Sequence, residues 1–339
     1  MRSYCVSMEE TRWGAISTAI ILLLLAINSV ATPLDKRSLQ LIGELNGEGP
    51  YIGVVTVYPP EEKAFFDSNA LKPHPKYPFL DLSGRRFRVG KIHGKKVIYV
   101  RCGVGMVNAA AASQQLFDLF DVTGIVHFGI AGNVNSSFSI GDVTIPKYVA
   151  HTGIWEWLNI HGEMDKKDFG MLVIGRYNKP RAKGKNALGR IGYQPEEFYS
   201  HNGKPNVPED LIWAQTTSQW QDLAKSLEGM KLDSCLNSSL CVANERKLVV
   251  GLRAATANIF VDNAAYRRFL FHNFHVSSVD EESASIVMTS LSNGFPVIVI
   301  RGLSDLAGGQ KGQNAISTFG PLAARNAVKA TLGFIDMLP

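Results

Sequence analysis

The sequence of 339 residues has little cysteine, only four residues, and no Cys or His spacing of the kind that ligates a metal. It has no block of like charge, since 35 Lys and Arg stand against 30 Asp and Glu and the net charge of +5 is dispersed. The densest basic cluster, Arg85, Arg86, Arg88, Lys91, Lys95 and Lys96, alternates with apolar residues about His93-Gly94. It reads as the solvated face of a hairpin, which argues against a nucleic-acid interface. Internal repeats and low-complexity tracts are missing as well. What remains is a chain 45% hydrophobic and 19% charged, long enough for one large domain or two small ones.

One long uncharged run is present. Arg12 precedes WGAISTAIILLLLAINSVATPL, 22 residues without a charge, with Ser29 and Ala31 at the −3 and −1 positions of a cleavage site. Residues 1–31 are therefore expected to be a signal peptide that sends the chain into the secretory pathway, to the vacuole or the extracellular space. No membrane association is expected after cleavage; the rival, an uncleaved anchor, is disfavoured by Asn28, Ser29 and Thr32. In an oxidising compartment Cys235 and Cys241 can close a small loop, while Cys102 is expected to be buried and unpaired. Asn237-Ser238-Ser239 reads as a glycosylation acceptor, and Asn135-Ser136-Ser137 lies in a loop too enclosed for a sugar chain.

After a polar linker at 32–48, residues 49–339 read as one domain with an insertion at about 151–245. Apolar runs at 51–58, 124–132, 247–255 and 297–300 predict buried strands, "GRRFRVGKI" and "KKVIYVR" an antiparallel pair, and "GDVTIP" a short strand. Helical patterns follow "CGVG", cover "EESASIVMTSLS" and end the chain at "PLAARNAVKATLGFIDML". This alternation predicts an α/β fold, a mainly parallel sheet with helices on both faces and ligands at the carboxyl ends of the strands. The loops at those ends carry Glu61 and Glu62, Gly103-Val104-Gly105, Asp280-Glu281-Glu282, and Arg301 with Asp305. Each has a plain alternative: a solvated turn residue for Glu61, charges favoured by the helix dipole for 280–282, a cap for Asp305.

Taken in order, these segments resemble the purine nucleoside phosphorylase/nucleosidase superfamily, the 5′-methylthioadenosine/S-adenosylhomocysteine nucleosidases in particular. The resemblance covers roughly residues 50–338 and rests on "IGVVTVYPPEE", "CGVGMVNAAAA", "HFGIAGNVNSSFSIGDVTIP", "ATANIFVDN", "VDEESASI" and "VIRGLSDLAG". The GIAGNVN spelling and the signal peptide are most similar to the plant bark and vegetative storage protein branch. The resemblance implies a three-layer sandwich with a mixed, mainly parallel central sheet. It implies cleavage of the N-glycosidic bond of a purine nucleoside, releasing the free base, with Asp305 as the acid that protonates the leaving purine. A buried strand end raises a carboxyl pKa, as that role requires. Glu61 would position or deprotonate water, with Arg301 nearby. Glu282 would hold the ribose hydroxyls, Phe260 would stack on the base, and Val261 would read its edge. The glycine turns and small residues Gly103, Gly105, Gly129, Ala131 and Gly132 would complete the substrate site. No cofactor or metal is implied, and the family's paired subunits imply a homo-oligomer.

The chain departs from the pattern at Ile130 (for serine), Glu281 (for methionine), Asn258 (for aspartate) and Met106 (for lysine). These changes keep a second reading open, a storage protein with little or no turnover. Hydrolysis is favoured over phosphorolysis because the loop Tyr58–Glu62 holds no arginine for an anion. Arg101 and Arg301 stay as candidate phosphate ligands, which leaves a phosphate-dependent (cytokinin) riboside phosphorylase, with phosphate as co-substrate, as a third reading.

Overall fold

The computed structural model of the chain describes residues 34–159, 170–173, 189–308, 310 and 314–339. The expected signal peptide at 1–31 lies outside them, as does part of the expected insertion. The chain divides into two units, Met1–Glu44 and Leu45–Pro339. In the first, helix α1 (Lys36–Glu48) begins, with Asp35 Oδ1 accepting from the Ser38 amide at 2.8 Å as its cap. The stretch read above as a linker is therefore largely helical. Leu39, Ile42 and Leu45, at three-residue steps, are the signal that reading passed over. In the second unit the end of this helix is tied down. Asn46 Nδ2 donates to the Leu119 carbonyl at 2.9 Å, and the Tyr51 hydroxyl donates to the Leu45 carbonyl at 3.0 Å.

The main sheet of the second unit has eleven strands. Those that matter for the site are β1 (Tyr51–Thr56), β2 (Lys95–Arg101), β3 (Val122–Asn133), β4 (Val143–His151), β5 (Leu248–Thr256), β6 (Ser278–Asp280) and β7 (Val297–Asp305). β1 lies parallel between β2 and β3, β7 is parallel to β3, and β5 is parallel to β4 and β6. β6 meets the end of β3 antiparallel, and β7 meets β4 antiparallel. The pairings β3–β6–β5–β4–β7–β3 thus close a ring, so the sheet is mixed but mostly parallel. Helices α2 (Pro59–Asp67), α3 (Met106–Leu119), α4 (Ala264–Phe274), α5 (Ser283–Asn293) and α6 (Ile316–Met337) cover its two sides.

β1 and β7 form here because every residue in them is buried, which suits runs of β-branched side chains without alternation. The expected hairpin is present, Arg85–Ile92 with Lys95–Arg101, turning at His93 and Gly94 with φ of 49° and 81°. Two positive φ values in succession are what a type I′ turn requires. The loop expected at Tyr58–Glu62 is instead the start of α2. Pro59 opens that helix, where its missing N–H has no partner to lose. Phe65 then fixes the helix to the sheet, stacked on Tyr99 at 4.7 Å and tilted on Phe128 at 5.6 Å. Among the described residues of 151–245, the strands Trp155–Leu158, Gly170–Val173 and Arg190–Tyr193 make a small sheet of their own. Cys235 and Cys241 form the expected disulfide, and Cys102 is free and buried.

Candidate active site

The ends of six strands converge on one cavity. Its wall is built from Val57, Tyr58 and Glu61 after β1, Val104 after β2, and Ile130, Ala131 and Gly132 near the end of β3. Ile259, Phe260 and Val261 follow β5, Val279 to Glu282 end β6, Ser304 and Asp305 end β7, and Ile316 opens α6. Most of this surface is apolar, and the polar groups on it are almost all carboxyls. A ligand that fits must therefore offer an apolar body with donors or positive charge at fixed points.

Asp305 is buried, its Oδ1 accepting from Ser304 Oγ at 2.7 Å and its Oδ2 from Asn314 Nδ2 at 3.0 Å. Burial raises its pKa, Asp262 adds to the rise, and the two hydrogen bonds oppose it without cancelling it. Glu61 is not the solvated turn residue of the plain alternative. It is 1% exposed, and Oε2 accepts from Thr56 Oγ1 (2.8 Å), the Val57 amide (2.8 Å) and the Tyr58 amide (3.1 Å). Oε1 accepts from the Ile130 amide at 2.8 Å, which locks α2 to β3. Burial pushes this carboxyl above its usual range against the pull of Arg301 and these donors.

Arg301 does not line the cavity. It lies fully buried behind the wall, where Nε donates to Ser283 Oγ (3.0 Å) and pairs with Asp280 Oδ2 (3.2 Å), and Nη1 donates to the Ile130 carbonyl (3.2 Å). Its Nη2 is shared between His127 Nε2 at 2.6 Å and Glu282 Oε2 at 3.3 Å. Gly129 is required at this point, since a Cβ there would collide with Arg301 Nη1 and Glu61 Oε1. Asp280 also caps α5, accepting from the amides of Glu282 (3.1 Å) and Ser283 (2.9 Å). Burial alone would raise its pKa, but Arg301 with the Ser283 and Thr256 hydrogen bonds outweighs it and holds the carboxyl low.

Glu282 is 4% exposed, and its Oε1 accepts from the Gly105 amide at 3.0 Å. Burial drives its pKa up to about 7, Arg301 restraining the rise and Asp280 reinforcing it. Glu281 lines the cavity half-buried, with neither a hydrogen bond nor an ion pair among the described residues. Phe260 is 53% exposed at the rim, and Val261 is buried beside it.

Of the residues named from sequence, the structure brings Asp305, Glu61, Glu282, Phe260, Val261, Ala131 and Gly132 to the cavity wall. Gly103 and Gly105 flank Val104 without lining the cavity, and Gly129 and Arg301 stand behind the wall. Two amides at the start of α3 are already engaged, Gly105 with Glu282 and Met106 with Asn258 Oδ1 at 2.9 Å. Arg101 turns away to Glu62, 3.2 Å distant. Sequence reasoning missed Tyr58 and Ser304 in the wall and His127 behind it. Among the described residues, no group of three or more His, Cys, Asp or Glu could hold a metal ion, and no helix is long and apolar enough to cross a membrane.

Residues 51–336 match the family model described as Phosphorylase superfamily. Bark storage protein A of Populus deltoides is 33% identical over 290 residues, 85% of this chain and 89% of that protein. The 5′-methylthioadenosine/S-adenosylhomocysteine nucleosidase of Psychromonas ingrahamii is 24% identical, over 73% of this chain and 83% of its own length. Among solved structures, the Helicobacter pylori nucleosidase of the same name, complexed with butyl-thio-DADMe-Immucillin-A, aligns with a TM-score of 0.58 at 19% identity. That alignment covers 85% of this chain and 98% of the other. Futalosine hydrolase of the same organism matches with the same TM-score and identity, over 86% of this chain and all of its own.

Proposed function

This chain belongs to the phosphorylase superfamily, and on that premise we propose that it cleaves the N-glycosidic bond of a purine nucleoside with water as the nucleophile. The observation that carries this reading is the placement of Asp305, Phe260 and Glu282 on one apolar cavity at the strand ends. Phe260 at the rim offers a face for the base, and Val261 its backbone for the base edge. Asp305, whose pKa burial raises, delivers a proton to the purine nitrogen as the glycosidic electrons move onto the ring. Glu282 accepts the ribose hydroxyls and offsets the positive charge that grows on the sugar. Glu61 faces the sugar side and orients the attacking water, whose oxygen bonds to the anomeric carbon as its proton passes to the Glu61 carboxylate.

The same geometry supports water over phosphate. Arg301 is committed to Asp280, Glu282 and His127, Arg101 to Glu62, and the Gly105 and Met106 amides to Glu282 and Asn258. Carboxyls line the wall, and a phosphate dianion would meet repulsion rather than a clamp. The proposed reaction needs no cofactor. The homo-oligomer implied by the resemblance and the secretory destination implied by the expected signal peptide stay part of the proposal. Release of free purine from adenosine or methylthioadenosine by the mature chain in phosphate-free buffer tests it; bound nucleoside that stays intact at high protein concentration contradicts it.

A second reading has its own support, a nucleoside-binding storage protein that has lost turnover. Ile130 fills the wall beside Glu61, Glu281 adds a carboxyl to the sugar side, and a bark storage protein is 33% identical. Intact nucleoside in the same assay is the outcome this reading expects.

A further inference from the structure

His127 sits on β3 with none of its surface exposed, beneath the cavity and outside the machinery described so far. Its two ring nitrogens face partners of opposite kind. Nδ1 lies 3.0 Å from the Val55 carbonyl, which can only accept, and Nε2 lies 2.6 Å from Arg301 Nη2, which can only donate. The ring is therefore neutral, with its proton on Nδ1 and a lone pair on Nε2 aimed at the guanidinium. Burial and the Arg301 charge together push its pKa down to about 3, with the Val55 carbonyl and Asp280 opposing weakly. An imidazole locked this way moves no proton during turnover.

Arg301 Nη2 has two hydrogens and two acceptors in reach. The imidazole is at 2.6 Å and the Glu282 carboxylate at 3.3 Å, so the neutral partner holds the shorter bond and the charged one the longer. That order is unusual, because a carboxylate attracts a guanidinium more strongly than an imidazole does. Backbone register enforces it. Val55, His127 and Val299 stand abreast across β1, β3 and β7, which fixes the ring two residues short of Arg301 along the parallel pair. Asp280 and the Ile130 carbonyl hold the guanidinium from its other edges.

We propose that His127 is a positioning residue that holds the Arg301 guanidinium back from Glu282, leaving the Glu282 carboxyl loosely paired and free to engage a ligand in the cavity. The charged and titratable groups around that carboxyl are Arg301 on β7, Asp280 on β6, Glu61 on α2, Glu281 beside it, and the Cys102 thiol after β2. Burial has the largest effect on the Glu282 pKa; Arg301 is the one charged group among these that lowers it, so tightening or loosening this pairing moves where Glu282 titrates. The consequence for turnover rests on the nucleosidase reading above; the consequence for Glu282 does not.

The test compares the full mature chain with His127→Gln and His127→Asn. Glutamine places a carbonyl oxygen where Nε2 stands and keeps the acceptor for Arg301, whereas asparagine is too short to reach it. Carbon-13 NMR of the glutamate carboxyls should show Glu282 titrating alike in the wild type and His127→Gln. In His127→Asn it should titrate about one pH unit lower, as Arg301 closes on it. Adenosine affinity, read by calorimetry, should fall roughly tenfold in the asparagine variant alone, the loss of about one hydrogen bond. Nitrogen-15 NMR of the wild type needs no variant, and should show the Nδ1–H tautomer from pH 5 to pH 9. Identical Glu282 titration in the two variants, or an imidazolium at neutral pH, overturns the proposal. A wild type that cleaves nothing, with the Glu282 shift as described, contradicts the nucleosidase reading and leaves this one standing.

Discussion

Asp305 and Glu282 are both raised by burial, and the two shifts have different consequences. For Asp305 the raised pKa favours the protonated form that the proposed acid role requires. Asp305→Asn preserves the shape and the Ser304 contact but has no proton to give at this acidity, so kcat for adenosine should fall on the order of 10² to 10⁴-fold. Steady-state kinetics check this, and a silent substitution would remove the acid from the mechanism. For Glu282 the raised pKa bears on stability. The folded state binds the Glu282 proton more tightly than the unfolded chain, where the value is near 4.5. Its contribution is therefore fully present below 4.5 and is lost as pH rises through about 7. Between those limits the melting temperature of Glu282→Gln should depend less on pH than that of the wild type, as calorimetry can measure. Glu61 and Asp305 were legible in the sequence because each follows an apolar run at a strand end, and Glu282 through the resemblance carried by "VDEESASI". His127 was not, because the partner that gives it a role, Arg301, is 174 residues away and chain order holds no record of the pairing.

Elements were legible where their cause is local. Runs of β-branched residues announced β1 and β7, and His93-Gly94 announced the hairpin turn, because strand burial and positive φ each select residue types directly. Helix starts were harder to read. Tyr58–Glu62 looked like a loop because two prolines follow a strand, yet proline is suited to the first turn of a helix, and Phe65 supplies the packing that extends it. Residues 36–48 looked like a linker because polar side chains outnumber the apolar stripe. The hairpin Cys235–Asn237 with Leu240–Cys241 was anticipated only through its cysteines. Its disulfide spans a sequence separation of 6, so it constrains a short loop of the unfolded chain. Replacing both cysteines by serine should lower unfolding free energy by about 2 kcal/mol. Because neither cysteine reaches the cavity wall, nucleoside affinity should not change. Chemical denaturation and calorimetry on the same variant separate the two effects.

For the molecule as a whole, the closed ring of β3, β6, β5, β4 and β7 explains how residues from distant parts of the chain share one wall. β3 supplies the apolar floor, β6 and β7 bring their carboxyls to it from either side, and β1 with α2 completes it through Glu61. The sequence indicated which strand ends would carry polar groups. It did not indicate that Arg301, a candidate anion ligand, would be consumed by Asp280, Glu282 and His127. That consumption supports the proposed choice of water over phosphate, and it makes the identity of the sugar product the most direct test. The mature chain should be incubated with adenosine in excess inorganic phosphate and the sugar identified by mass spectrometry. Free ribose, formed at the same rate with and without phosphate, is the predicted result; ribose 1-phosphate, formed only when phosphate is present, would contradict it.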